Sequence, residues 1–156
     1  MKKLSYLLLL LPLSFLFSCS NDKDFSPVDL TLTLSGVTMS NHNFYTVAGE
    51  TVTIDNLEAK AIDGTNSGVS NLVFYLNGVP LVGQPGNPFN GEINTENLPA
   101  GTYTLGVTGY MLQEGASLMD FAASYTLTVV SSVDDLPAGA PEIGTYSTTM
   151  RFSTSN

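Results

Sequence analysis

The chain of 156 residues contains one thiol, Cys19, and one imidazole, His42. A catalytic triad and a usual zinc site each combine several such groups, so the sequence predicts neither. His42 stands in the polar segment SNHNF and is interpreted as a loop residue. With a single cysteine the domain has no intramolecular disulfide, and we expect burial alone to stabilise it.

The first 18 residues have the composition of a secretory signal peptide. Lys2 and Lys3 precede an apolar run from residue 4 to residue 17. That run is shorter than the roughly 20 apolar residues that a transmembrane helix needs, and its basic flank is typical of an exported protein.

The segment Leu16-Phe17-Ser18-Cys19 resembles the lipobox of bacterial lipoproteins, with an aliphatic residue, a small residue and then cysteine. The resemblance implies cleavage before Cys19 and modification of its thiol by lipid, with acyl chains such as palmitate. The partner implied is a membrane, reached through this lipid anchor and a polar tether at residues 20–27. The location implied is the cell envelope, at the outer membrane and exposed at the surface.

The net charge of the chain limits the kinds of partner, besides a membrane, that it is expected to bind. Removal of the leader takes away two lysines, which changes the formal charge from −9 to −11. So acidic a chain is not expected to bind nucleic acid, because nucleic-acid surfaces require basic patches. We interpret the charge mainly as a source of solubility.

Oxygen-bearing side chains suggest one metal hypothesis. Asp63 and Asn66 lie in the loop DGTNSG, and oxygen atoms are the ligands that Ca²⁺ prefers. The same residues form Asx-turns without a metal, so calcium is the weaker interpretation, and no cofactor is expected. The carboxylates at Glu92, Glu96 and Asp134-Asp135 show no pattern that predicts a hydrolase, and the chain is predicted not to be an enzyme.

Aromatic residues are the candidates for ligand binding, because rings can stack on sugars. Tryptophan is absent, which leaves Tyr75, Phe89 and Tyr110 as the main candidates, with Tyr45 behind them. Alternation directs Tyr75 away from the core side of its strand. The simpler interpretation of Tyr75 is a β-forming residue on a solvent-facing surface.

Apolar residues alternate with polar ones through most of the chain after residue 27, for example at Leu30, Leu32 and Leu34. The alternation slips at Asp55-Asn56, which suggests a β-bulge or a break between strands. Asn77-Gly78 favours a type I′ hairpin turn. No stretch has a helical period, so the sequence predicts an all-β antiparallel sandwich of about seven strands.

Segments within residues 28–131, including VFYLNGVPL, NLPAGTYTLGVTG and ASYTLTVV, resemble bacterial Ig-like domains. The resemblance implies an Ig-like sandwich in which Phe74 packs in the core. It also implies that Tyr103 is a corner tyrosine, largely buried and hydrogen-bonded to nearby backbone, and that Leu105 replaces the usual second cysteine. The leader and the acidic segment after Cys19 resemble surface lipoproteins of the Bacteroides group.

Residues 132–156 lie outside this resemblance and divide into a linker and a strand pattern. Tyr146, Thr148, Met150 and Phe152 alternate with polar residues, which predicts an extra half-buried C-terminal strand. Three possibilities remain open: a strand that extends the sandwich, a strand that pairs with a partner protein, or a frayed tail.

The sequence leaves two candidate functions open. The first is a non-catalytic envelope lipoprotein that displays one Ig-like module for interaction or adhesion, with an unknown protein or glycan as its ligand. The second is a carbohydrate-binding accessory protein of a polysaccharide-uptake system. The fold hosts many roles, so the choice depends on the surface of the domain.

Overall fold

The computed structural model describes residues 24–81, 83–84 and 90–153, and the side chains of residues 24–81 and 91–153. The signal peptide, Cys19 and Phe89 lie outside the described residues. Regular structure in the described part is β-strand apart from one 3₁₀ turn, Val133–Asp135. The strands are β1 Val28–Ser40, β2 Asn43–Val47, β3 Thr51–Ala61, β4 Ser67–Leu76, β5 Val79–Pro80, β6 Gly83–Gln84, β7 Asn90–Asn94, β8 Gly101–Gln113, β9 Met119–Val130 and β10 Gly144–Phe152.

These strands form two sheets that enclose one core. The first sheet has the order β10-β1-β3-β7-β6 and the second has the order β5-β4-β8-β9-β2, and β1 joins the two by pairing with β2. All the pairs are antiparallel except β2 with β9. The predicted all-β sandwich is confirmed, and eight of the ten strands have five or more residues.

Strand β1 contributes to both sheets because its backbone bends at Gly36. The residues before the bend pair with β3 and β10, whereas the last three pair with β2. Gly36 has a φ of +78°, and a Cβ atom there would lie 2.2 Å from the carbonyl oxygen of Thr51. Only glycine satisfies both conditions. The buried hydroxyl of Thr46 donates a hydrogen bond of 2.8 Å to the Gly36 carbonyl, which holds β2 against the bend.

Alternation places apolar side chains between the sheets. Leu30, Leu32 and Leu34 on β1 are fully buried, as are Phe74 on β4 and Leu105 on β8. Burial of each such side chain contributes roughly 1.5–3 kcal/mol relative to exposure. Leu105 therefore supplies apolar packing in the interior of the second sheet, where an Ig domain of antibody type has a disulfide.

Both irregularities predicted from the sequence are present. The register of β1 with β3 shifts between Thr33 and Leu34, which leaves Asp55 without an opposite residue, as a bulge requires. Asn77 and Gly78 have φ values of +48° and +80° and connect β4 to β5 in a two-residue hairpin. Positive φ at both central residues is the mark of a type I′ turn.

The corner residue Tyr103 is less buried than the resemblance implied. Its hydroxyl donates a hydrogen bond of 2.6 Å to the carbonyl of Pro99, four residues earlier. The ring is half-buried, not largely buried. The reason is its place close to the start of β8, two residues before the buried Leu105, where less of the facing sheet can cover it.

The C-terminal segment forms the predicted extra strand. β10 pairs with β1 from Val28–Phe152 to Val37–Gly144. On the outer face Arg151 forms an ion pair of 2.5 Å with Asp29, and three pairs of hydroxyl groups face one another across the two strands. β10 thus covers the β1 edge of its own sandwich. Of the three possibilities, this is the strand that extends the sandwich.

The sandwich has two distinct ends. The Val28 end carries the start of β1, the loops 62–66 and 114–118, and the end of β10. The Gly36 end carries the bend in β1, the turns at 48–50 and 77–78, the segment 95–100, and the connection 131–143.

The account of the bend at Gly36 can be tested against a matched control, Gly139. Gly139 also has a positive φ, +77°, but no atom lies within 4 Å of an added Cβ. We expect Gly36→Ala to lower the free energy of unfolding by about 3 kcal/mol or more, since backbone strain adds to displacement of a backbone oxygen. Gly139→Ala should cost only the strain, about 1–2 kcal/mol. Urea unfolding measures both, and equal losses would contradict the account of the bend.

Candidate binding surfaces

Two of the three predicted ligand-binding aromatics lie on the outer face of the second sheet. Tyr75 on β4 is half-buried and stands opposite Gly106 of β8. Tyr110 on β8 is 36% exposed. Thr108 lies between them and donates a long hydrogen bond of 3.4 Å to the Tyr75 hydroxyl. The structure therefore places Tyr75 and Tyr110 on one surface, whereas Phe89 is outside the described side chains.

A shallow groove of about 520 Å³ adjoins Tyr110. Its lining residues include Asn71, Asp120 and Phe152, besides Tyr110 itself. Asn71 lies in a register shift of β4 and has a φ of +51°. An exposed ring beside an amide and a carboxylate can combine stacking with hydrogen bonding, which is the chemistry that recognises a sugar.

The candidate calcium ligands take part in the structure of their own loop. Asp63 Oδ1 accepts a hydrogen bond of 2.9 Å from the Thr65 backbone N–H, which closes an Asx-turn. Asp63 Oδ2 accepts one of 2.6 Å from the Ser26 hydroxyl. The Asn66 carbonyl accepts a hydrogen bond from the Glu114 N–H. These contacts favour the Asx-turn interpretation, and calcium binding remains an untested prediction.

The hydrogen bonds to Asp63 change its acidity. They lower the pKa of this carboxyl from 3.8 to about 2, with the Ser26 hydroxyl as the largest cause and the Thr65 backbone N–H next. Because both donors bond the ionised form, the carboxylate is favoured in the folded protein.

Ser26 is also fixed by a second residue that the sequence analysis did not single out. Its backbone N–H donates to Gln113 Oε1 at 2.7 Å, and Gln113 Nε2 donates to the Ser26 carbonyl at 3.2 Å. We call Ser26, Asp63 and Gln113 the N-terminal clamp. The sequence carries no signal for it, because Ser26 and Gln113 are 87 positions apart.

The other polar residues that were considered for catalysis or metal binding do not lie together. Glu92, Glu96 and Asp134 are exposed, and Asp135 accepts hydrogen bonds from Ser132. His42 has a φ of +64° in the turn between β1 and β2. Among the residues with described side chains, no three His, Cys, Asp or Glu residues are grouped so that they could hold a metal ion.

Tyr125 on β9 has an unusual environment. Its side chain is buried, its hydroxyl has no hydrogen-bond partner among the described residues, and burial raises its pKa. The residue lines a small cleft of about 180 Å³ with His42, Asn43 and Thr148.

Comparison with known proteins agrees with this architecture. Residues 36–107 match the bacterial Ig domain family, a little under half of the chain. The match begins at the bend in β1 and ends within β8, so β9 and β10 lie beyond it. No curated protein matches the chain. The family match supports a bacterial Ig-like domain, and such domains serve generally as non-catalytic modules.

Over residues 24–81, 83–84 and 90–153, no helix is long and apolar enough to cross a membrane.

The clamp predicts a pH-dependent contribution to stability. The folded-state pKa of Asp63 lies below its unfolded value, so its stabilisation is complete above about pH 4 and is lost as the pH falls toward 2. Ser26→Ala should therefore raise the pKa of Asp63 measured by NMR titration. It should also lower the melting temperature more at pH 7 than at pH 2.

Ser147→Ala is the matched control, because the Ser147 hydroxyl contacts the neutral hydroxyl of Thr33 at 2.7 Å. Its effect on the melting temperature should not change between the two pH values. An unchanged Asp63 pKa in Ser26→Ala would show that the Ser26 hydroxyl does not stabilise the ionised carboxylate.

Proposed function

We propose that this protein is a non-catalytic lipoprotein of the cell envelope that displays one Ig-like module for interaction or adhesion. The observation that carries the proposal is an Ig-like sandwich whose first strand, beginning at Val28, follows closely on a lipobox-like segment ending at Cys19. The family match supports the module, and the leader sequence supports export and lipidation.

The proposed location is the outer membrane, with the module exposed at the cell surface. The resemblance of the leader and of the acidic segment after Cys19 to Bacteroides-group lipoproteins supports this part. The acidic charge of the chain also supports a protein or glycan ligand in preference to nucleic acid.

Replacement of Cys19 tests the anchor. A diacylglyceryl thioether buries two acyl chains, each CH₂ contributing about 0.8 kcal/mol, so attachment should be effectively permanent. We expect Cys19→Ala to lose incorporation of a labelled fatty acid and to leave the membrane fraction. Ser20→Ala, one position away, should keep both.

A Cys19→Ala protein that remains lipid-labelled and in the membrane fraction would overturn the lipoprotein proposal. Fractionation and fatty-acid labelling are measured on the same cells, which separates loss of the anchor from loss of expression.

A carbohydrate-binding role in polysaccharide uptake is the second candidate function. The groove beside Tyr110 favours it, because an exposed ring, the Asn71 amide and the Asp120 carboxylate border one surface. Under this alternative the Ig-like module would hold a glycan for uptake machinery in the same membrane.

A glycan-array screen distinguishes the two candidates. If a glycan binds, we expect Tyr110→Ala to weaken its Kd by about tenfold, since a stacked ring contributes on the order of 1 kcal/mol or more. Tyr45→Ala is the control, because Tyr45 is half-buried on β2 and does not line the groove. Binding that is insensitive to Tyr110→Ala would exclude this groove, and an array with no binding would favour a protein partner.

A further inference from the structure

The N-terminal clamp attaches the start of the chain firmly to one end of the sandwich. Ser26 makes three hydrogen bonds with Gln113 and Asp63. Phe25 packs against the core, and the Pro27 carbonyl accepts a hydrogen bond of 3.0 Å from the Ile62 N–H. The chain is thus held at the Val28 end several residues before β1 begins.

The distance from this end to Cys19 is short. Ser26, where the clamp holds the chain, is seven positions after Cys19, and seven extended residues span at most about 25 Å. Strand β8 has 13 residues, and at about 3.4 Å per residue it is about 40 Å long. A tether shorter than the domain, joined to one end of it, restricts which end can face the membrane.

Apolar side chains are exposed at the same end. Ile62 is 52% exposed beside the clamp, Leu112 is 44% exposed next to Gln113, and Leu118 is 56% exposed in the loop 114–118. Leu112 and Leu118 line a common depression. Exposed leucines are not required for folding, and at a membrane-facing surface they can enter the boundary between headgroups and acyl chains.

We propose that the Val28 end is a membrane-docking surface on which Leu112, Leu118 and Ile62 contact the lipid. This proposal rests on the proposed anchoring through Cys19. The occupant is a zwitterionic lipid surface, because the exposed acidic residues Asp63 and Glu114 at this end would repel anionic lipid.

The orientation has a consequence for ligand binding. The loops 62–66 and 114–118 occupy the positions of two antigen-binding loops of antibody variable domains, and here they face the membrane. The Gly36 end, with the Asn77-Gly78 turn, is the end presented to a large partner. The groove at Tyr110 is on the flank near the membrane, where a ligand would approach from the side.

Depth-dependent fluorescence quenching tests the proposal on the lipidated full chain in phosphatidylcholine vesicles. Leu118→Cys and Val79→Cys each replace an exposed apolar residue, at opposite ends of the sandwich, and Cys19 is blocked by lipid. Each introduced thiol is labelled with a fluorescent maleimide, and part of the lipid carries a quencher on its headgroup. We expect quenching at position 118 to exceed that at position 79 by about threefold or more, because the positions differ in height by most of a strand length.

Vesicle flotation is measured first on the same samples. Protein that does not float with the vesicles would overturn the anchor itself. Protein that floats but is quenched equally at both positions, or more at position 79, would overturn the docking surface while the anchor stands.

Two further measurements sharpen the result. The double variant Ser26→Ala/Gln113→Ala should still float and should reduce the difference between the two positions, because the clamp no longer restrains the tether while β1 still begins at the same end. An unreduced difference would show that the clamp does not contribute to the orientation. Adding phosphatidylglycerol should reduce quenching at position 118, and an increase would overturn the assignment to a zwitterionic surface.

Discussion

The bend at Gly36 is the constraint on which the two-sheet arrangement depends. A backbone carbonyl, that of Thr51, occupies the space where any other residue would have its Cβ atom. Only because this space is free of a side chain can β1 leave the first sheet and pair with β2. β2 then adds in parallel to β9 and extends the second sheet. The same strand therefore joins the two sheets along one side, with no disulfide between them.

Because β1 leaves the first sheet at Gly36, only its early part has neighbours in that sheet. Its early part has two neighbours, β3 on one side and β10 on the other. Without β10, a row of unpaired backbone groups along β1 would be open to another chain. The outer face of β10 is held by hydroxyl pairs and the Arg151–Asp29 ion pair, whose contribution is small at an exposed site. Backbone pairing along nine residues and packing of Tyr146, Met150 and Phe152 against the core are therefore its main attachments.

The polar groups outside the core form two sets, one at the N-terminal clamp and one in the groove beside Tyr110. Asp63 and Gln113 are used to hold the N-terminal segment, so their chemistry is structural. The groove beside Tyr110 has polar groups that the sandwich does not need for its own pairing. These groups lie on strands that the core already holds in place, which the proposed binding role requires.

The sequence by itself determined the local features, because each depends on neighbours along the chain. Alternation at Leu30, Leu32 and Leu34 identified a buried face, and Asn77-Gly78 and Asp55 marked a turn and a bulge through their own backbone preferences. The resemblance around Tyr103 predicted a hydroxyl contact with nearby backbone, which is again local. Cys19 is a local pattern too, and its lipidation stays a prediction.

Only the tertiary structure decided which distant segments meet. The transfer of β1 between sheets depends on Thr51 lying against Gly36, and the clamp depends on Gln113 reaching Ser26 across 87 positions. Neither pair shares a periodicity or motif that could reveal it. Tyr103 proved half-buried because the coverage of a ring at the end of a strand depends on the facing sheet. Contacts of this kind arise from packing of the whole domain, and local preference along the chain contains no information about them.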